Sequence, residues 1–554
     1  MANAKSLRVD PANQSKVIRR RGLLQRMLVV AILATPSLYL LLKFPPLWRD
    51  SDGFFQVHER FNHITILHWP PLYCFAARIP IALGQVIASV VTGQGFAGLH
   101  FVPPQFTDLG IYLLVITQHA TLIGALFLIC TMLTGSFFAR FLIALLFALN
   151  PAIYAFAHCV GSETMSNFFI LLTATLGYRF VTERSVSPAL AYAFAGSLSG
   201  AILSHHVNEM LMWLVPLAFL LTLVLDPFRS LGNPKGKRPP SARANVSRFF
   251  QSLLLGVLSI LVANAIILGA CAVTKTPFRS KLGAVFMWRL GYLSNITSVS
   301  QERILKKVDT NLNDPAITFA LNRIRELLID KRPWDPDTMP KALVEWISAR
   351  DHGNPKRILS KADQKLNQVA LQFLLHGGAE FWGAVMHDFW ISLNDSSSDI
   401  CHEPFRTTDL LASWSTQARF QSVRHLSTFD PSLASYDSRW RLDPYLKIGK
   451  SIKLGYELLF VFLGAFWIFV VRRELVPQIS LYVASLAFLG GAICFANCAL
   501  TFMLPRFELP LLDLALFGLA VIIATSLDKK MTWGAGEQFT GDSDGDRRNP
   551  GDHG

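Results

Sequence analysis

The sequence predicts an all-α polytopic membrane protein with about ten transmembrane helices and a large, mostly helical extracytoplasmic insert. Three observations carry this expectation. First, the 554 residues are 51% hydrophobic and only 16% charged, against about 25% charged in a soluble domain. Second, the apolar residues gather in runs about as long as the ~20 residues a helix needs to cross a bilayer. MLVVAILATPSLYLLL and LLLGVLSILVANAIILGACAV are two such runs, and they lack the alternation of a barrel strand. Helices are then the remaining way to satisfy the backbone in lipid. Third, Lys and Arg concentrate in a subset of the connecting stretches, which is how cytoplasmic loops are marked.

Spans are expected near 24–43, 110–134, 137–157, 164–182, 188–205, 209–226, 250–273, 453–471, 478–502 and 507–527. The first run is longer than the roughly 7–15-residue core of a signal peptide and has no small-residue cleavage site after it. It is expected to remain as span one, behind a basic cytoplasmic segment at 1–23. Alternation then puts 183–187, 227–249, 472–477 and the tail 528–554 in the cytoplasm. Those stretches hold Arg229, Lys235, Lys237, Arg238, Arg243, Arg248, Arg472, Arg473, Lys529 and Lys530, so span count and charge bias agree.

Two stretches remain outside. In the first loop, 44–109, the apolar piece 74–91 is interrupted by Arg78 and Pro80 and reads as an interfacial helix. An eleventh crossing there would carry the basic loop 227–249 to the wrong side. The insert, 274–452, spaces apolar residues at three and four in ILKKVDTNL, ITFALNRIRELLID and ALVEWISAR, which predicts helices. The tail is almost free of apolar residues and is expected to be disordered.

The net charge of +14 would suggest nucleic acid in a soluble protein. Here cationic loops account for it, and no nucleic-acid partner is expected. Seven cysteines without a CxxC pair indicate neither a disulfide framework nor a zinc site.

Four constellations bear chemistry. PPLWRDSDGFFQVHERFNHITILHWPPLY, 45–73, places Asp50 and Asp52 just outside the bilayer and His68 before a stiff double proline. A partly desolvated carboxylate there can take a proton from a hydroxyl; two Asp after a span are also ordinary loop residues. NPAIYAFAHCVGSETMSNFFILLTATLGYR, 150–179, opens a span with Ser162 and Glu163, which suit helix capping as well as a site. MLPRFELPLLDLAL, 503–516, puts Arg506 at the outer boundary. It serves there as a phosphate clamp or a snorkelling anchor. SHHVNEM, 204–210, sets His205, His206 and Glu209 near lipid, where ionisable groups are functional candidates. The two His and the Glu could together bind a metal, though their spacing matches no recognised ligand motif; Arg78 is a further basic candidate.

The ordered set resembles the GT-C glycosyltransferases, which transfer a sugar from a polyprenyl-phosphate or polyprenyl-diphosphate carrier. Protein mannosyltransferases and the aminoarabinose transferases of lipid A are members. Asp50 and Asp52 before Phe54, and His68-Trp-Pro-Pro-Leu-Tyr73 with Trp69 inserted, resemble the family's first loop. Asn150-Pro151, Ser162-Glu163 and Arg506-Phe507 with Pro510 fill later family positions. The resemblance covers about 25–230 and the last span; the insert matches no family pattern.

The resemblance implies inverting transfer from a polyprenyl-phosphate-linked sugar to a lipid, glycan or protein acceptor, in the inner (plasma) membrane. Asp50, with Asp52 behind it, would be the base. Arg506 with His205 or His206 would hold the leaving phosphate, with His68, Arg78, Glu163 and Glu209 as further substrate contacts. No cofactor or metal is called for. The alternative is a transporter or flippase for a lipid-linked or polar solute.

Overall fold

The computed structural model describes residues 11–48, 71–91, 108–183, 185–230, 242–273, 282–291, 298–309, 314–329, 338–414, 438–471, 477–501 and 505–527. The chain is an all-α polytopic membrane protein. Among the described residues, eight helices are long and apolar enough to cross a membrane, and a bent pair makes a possible ninth.

Each of the expected spans falls on helix. α1 (Pro11–Lys43) is followed by a two-residue strand, β1 (Leu47–Trp48). α2 (Leu72–Val91) and α3 (Asp108–Leu133) come next. The expected span 137–157 is in fact two helices, α4 (Phe137–Ala148) and α5 (Pro151–Ala157), meeting at 65°. Pro151 is the cause. Proline has no N–H to continue a helix, so it starts a new one, with Asn150 Oδ1 capping the Ala152 N–H at 3.2 Å.

A second short strand, β2 (Cys159–Val160), then pairs with β1 in parallel, Leu47 beside Cys159 and Trp48 beside Val160. α6 (Glu163–Thr182) and α7 (Pro188–Ser204) follow. Neither passes the length-and-hydropathy test, the first being too polar and the second having 17 residues. α6 is internal instead, packing on α3, on α7 and on the last two helices of the chain, while α7 is buried only over its second half. A 3-10 helix, His206–Trp213, leads into α8 (Leu214–Ser230), and α9 (Ala242–Val273) ends the first membrane block.

The described parts of the insert are mostly helical. It contains α10 (Leu282–Gly291), α11 (Ser298–Asp309), α12 (Pro315–Ile329), α13 (Thr338–Ser348), α14 (Pro355–His376), α15 (Gly378–Asn394) and α16 (Ser397–Trp414). The amphipathic strings of the sequence become α11, α12 and α13. Three helices then close the chain's membrane part: α17 (Leu454–Val471), α18 (Pro477–Leu500) and α19 (Leu509–Leu527), the last preceded by a 3-10 turn, Pro505–Glu508. All seven cysteines are buried and none is in a disulfide.

The insert is seated on one rim. α15 packs on α17 and α18, with Trp382 stacked on Phe495 at 6.0 Å. α16 lies over α5 and β1, with Phe405 edge-on to Phe44 at 5.0 Å. Ser397 donates to Asn150 Oδ1 at 2.8 Å, and the Tyr445 hydroxyl to the Ala148 carbonyl at 3.3 Å. Lys43 and Tyr39 of α1 both bond Asp443. Burial pushes the Asp443 carboxyl up, but these two donors outweigh it and hold it below its ordinary value.

At the opposite rim, helix ends that adjoin the basic loops meet. Arg248 Nη2 donates to the Glu183 carbonyl, and Gln478 Nε2 to Asn245 Oδ1 at 3.3 Å. The ends of α6, α9 and α18 that adjoin 183–187, 227–249 and 472–477 therefore meet there, as their shared charge predicts.

α2 is long and apolar enough to cross, but its register shows where it runs. Tyr73 donates to Gln118 of α3 at 2.9 Å, and Gly84 packs on the backbone of Gly110. The two helices are thus antiparallel, and α2 climbs from the level of Gln118 towards and past the start of α3. That start lies at the insert rim, because α4 returns from the far end of α3 to meet the insert at Ala148. α2 therefore lies antiparallel along the first half of α3, and by length and apolarity it counts among the eight candidate spans rather than as the interfacial helix expected from Arg78 and Pro80. The tail 528–554 and the segment 1–10 lie outside the described residues.

Candidate functional site

Three residues far apart in sequence come together at the insert rim. Glu163 at the start of α6, His205 at the end of α7 and Arg506 before α19 line one cleft. Ser166, Asn167, Val207, Asn497, Phe507, Leu509 and Pro510 complete it. Its empty space, open mouth included, is about 310 Å³.

The local reasons are plain. α7 ends at Ser204, and His205 leaves the helix in extended geometry (φ −158°), which turns it away from the helix axis. The next eight residues are 3-10, where positions three apart eclipse each other. Asn208 and Leu211 therefore share the buried face, and His206 and Glu209 the outer one. Asn208 Nδ2 donates to Ser166 Oγ and to the Ala201 carbonyl, both at 2.9 Å, which ties this turn to α6.

On α6, Glu163 is only 5% exposed. Ser166 and Asn167 follow it by three and four residues, on the same helix face. The Asn167 amide donates to the Glu163 carbonyl and to Asp513 Oδ2 of α19, each at 3.0 Å. Asp513 is fully buried. Ser162, expected as a cap, makes no side-chain capping bond; its φ and ψ are already helical, which aims the hydroxyl away from the first N–H groups. Glu163 keeps its place in the first turn, where the helix dipole favours an anion.

Arg506 is largely withdrawn from the surface. Its side chain is 10% exposed and lines the cleft. Its backbone N–H donates to Glu403 Oε2 of α16 at 2.5 Å, and its guanidinium stands 3.9 Å from Glu403 Oε1. Asn497 Nδ2 donates to the Phe507 carbonyl at 3.1 Å, bracing the turn from α18.

A second network fixes the chain just before Asp50. His158 Nε2 lies 3.0 Å from the carbonyls of both Phe44 and Pro45, which can only accept, so this nitrogen carries the proton. His158 Nδ1 then accepts from His119 Nε2 at 3.2 Å, and His119 Nδ1 accepts from the Ser37 hydroxyl at 2.9 Å. This run of buried side chains holds residues 44–48 beside β2, and Trp48 pairs with Val160, three residues before Glu163.

The remaining expected site residues fall elsewhere. Asp50, Asp52 and His68 lie outside the described residues. Arg78 is half-buried on α2 and does not line the cleft. His206 is exposed and Glu209 half-buried on the outer face of the 3-10 helix, so neither joins His205 in the cleft. Among the described residues, no group of three or more His, Cys, Asp or Glu is placed to hold a metal. Glu403, Asn167 and Asn497 were not singled out from sequence. Asn167 was one helical turn from Glu163, and Asn497 was an amide inside an apolar run, so both carried a signal; Glu403 carried none.

No known family model matches the chain, and no curated protein matches it.

Proposed function

We propose that this protein is a GT-C-type membrane glycosyltransferase that moves a sugar from a polyprenyl-phosphate carrier to an acceptor hydroxyl outside the cytoplasm. One observation supports the reading most: Glu163, His205 and Arg506, from three separate segments, line a single cleft at the rim under the insert. The helix ends that adjoin the basic loops meet at the other rim, which favours an inner-membrane orientation with cytoplasmic termini. The chain leading to Asp50 is anchored at Trp48, beside the strand that feeds Glu163.

In this mechanism the Asp50 carboxylate, with Asp52 in reserve, takes the acceptor hydroxyl's proton. The freed oxygen attacks the anomeric carbon from the face opposite the phosphate. The bond from that carbon to the phosphate oxygen breaks, and the polyprenyl phosphate leaves with inverted configuration at the sugar. Arg506 and His205 offset the charge that develops on the phosphate. Acceptors with a reactive hydroxyl include lipids, glycans and proteins.

The test is incorporation of radiolabelled sugar from a polyprenyl-phosphate donor by reconstituted protein. Asp50→Asn is expected to abolish transfer at normal expression. Near-normal transfer by both Asp50→Asn and Asp52→Asn would remove the proposed base.

The 65° break at Leu149–Asn150 gives some weight to the alternative, a transporter or flippase. Transporters, however, break helices near the bilayer midplane, whereas this break touches the insert at Ala148 and Asn150. Label moved across the membrane without entering a product would favour transport.

A further inference from the structure

Glu403 is 4% exposed and comes from the insert, not from the membrane helices. It makes two different contacts with Arg506. One is a hydrogen bond from the backbone N–H at 2.5 Å; the other, at 3.9 Å from the guanidinium, is too long for a hydrogen bond and acts through charge. The helix that carries it is fixed in place. Phe405 packs on Phe44, Ser397 bonds Asn150, and the Ser398 hydroxyl donates to the Leu446 carbonyl at 2.8 Å. Glu403 therefore has a rigid base from which to hold the 505–508 turn.

We propose that Glu403 is the positioning residue for Arg506, and that through it the insert sets how tightly the cleft holds a phosphate-bearing lipid. This rests on reading the cleft as a phosphate-carrier site. The two contacts have opposite consequences for binding. The hydrogen bond keeps Arg506 facing the cleft, which favours an arriving phosphate. The carboxylate charge balances a guanidinium withdrawn from water and so competes with that phosphate for it. Binding strength is the difference between these effects.

Glutamine separates them, because Glu403→Gln keeps an acceptor oxygen and the same shape but removes the charge. Alanine removes both. The full-length chain in lipid nanodiscs is titrated with a long-chain polyprenyl monophosphate, with the uncharged polyprenol, and with inorganic phosphate. Glu403→Gln is expected to bind the monophosphate roughly tenfold more tightly than the parent chain, as loss of a nearby competing charge implies. Glu403→Ala is expected to bind it more weakly than the parent. Adding Arg506→Gln should erase the Glu403→Gln gain, and the polyprenol should show none. A gain shared by inorganic phosphate identifies the phosphate group as what is recognised; a gain confined to the lipid form identifies the lipid-borne head group.

Parent and Glu403→Gln affinities within twofold of each other would overturn the proposal, as would a gain that survives Arg506→Gln or extends to the polyprenol. Matching elution of all variants on size exclusion guards against misfolding. If sugar transfer is absent while the tenfold gain persists, the enzyme reading falls and the positioning role stands.

Discussion

α6 and α9 are both long helices of the membrane block, and they differ in almost every respect. α9 is the most apolar of the candidate spans, yet only 22% of its apolar stretch is buried. Leu254, Leu261, Val262 and Leu268 face outward. α6 fails the hydropathy test and is buried along most of its length, polar residues included: Glu163, Ser166, Asn167, Thr173 and Thr175 are all inside. Lipid explains the inversion. Tails are as apolar as leucine, so nothing drives an apolar helix inward, while a polar helix is tolerated only where other helices supply partners. Thr173 bonds Ser197, Asn167 bonds Asp513, and Asn208 bonds Ser166. Hydropathy therefore does not measure burial: it passes over α6, and it marks α9 at 22% buried alongside α19 at 78%, although α19 lines the cleft with α6.

This contrast can be broken at graded sites. The largest effect is expected at Arg506, beside the head of α6. Arg506→Gln should lower kcat/KM for sugar transfer by about 10²–10³, as loss of a charge-stabilising donor does elsewhere. Retained activity would separate the cleft from the chemistry. One turn into α6, Asn167→Leu leaves Asp513 without its amide partner inside the protein. That should cost about 1–3 kcal/mol, visible as a lower thermal midpoint in detergent; an unchanged midpoint would mean the buried polar face is dispensable.

Gly84 on peripheral α2 sharpens the point, because a Cβ there would lie 2.3 Å from the Gly110 Cα. Backbone cannot move aside as a side chain can. Gly84→Ala is expected to destabilise by about 1–3 kcal/mol, because Gly84 is buried against α3. At the mild end, Leu261→Ala on α9, 59% exposed, should change stability by no more than about 0.5 kcal/mol. A larger loss in the same thermal assay would show that α9 has a packing partner in the membrane.

Much of the site was readable in advance, and unevenly. Glu163, His205 and Arg506 stood out because each is an ionisable residue at the outer edge of an apolar run. His206 and Glu209 stood out for the same reason but point away, because a 3-10 turn rather than an α-helix follows His205. That choice of turn is not visible in SHHVNEM. Asn150-Pro151 was seen as a motif while its consequence, a 65° bend, was not. Proline announces a break in a helix but does not fix its angle.

The chain's own residues determined that it folds as apolar helices long enough to cross a membrane, which helix ends share a rim and that the insert is mostly helical. These follow from local apolar length, charge bias and periodicity, each a property of neighbours along the chain. Tertiary structure alone decided that Glu403 reaches Arg506 across 103 positions, and that Asn167 meets Asp513. Such pairs form only after separate helices have packed, and no spacing in the sequence encodes which distant polar side chains will then satisfy one another.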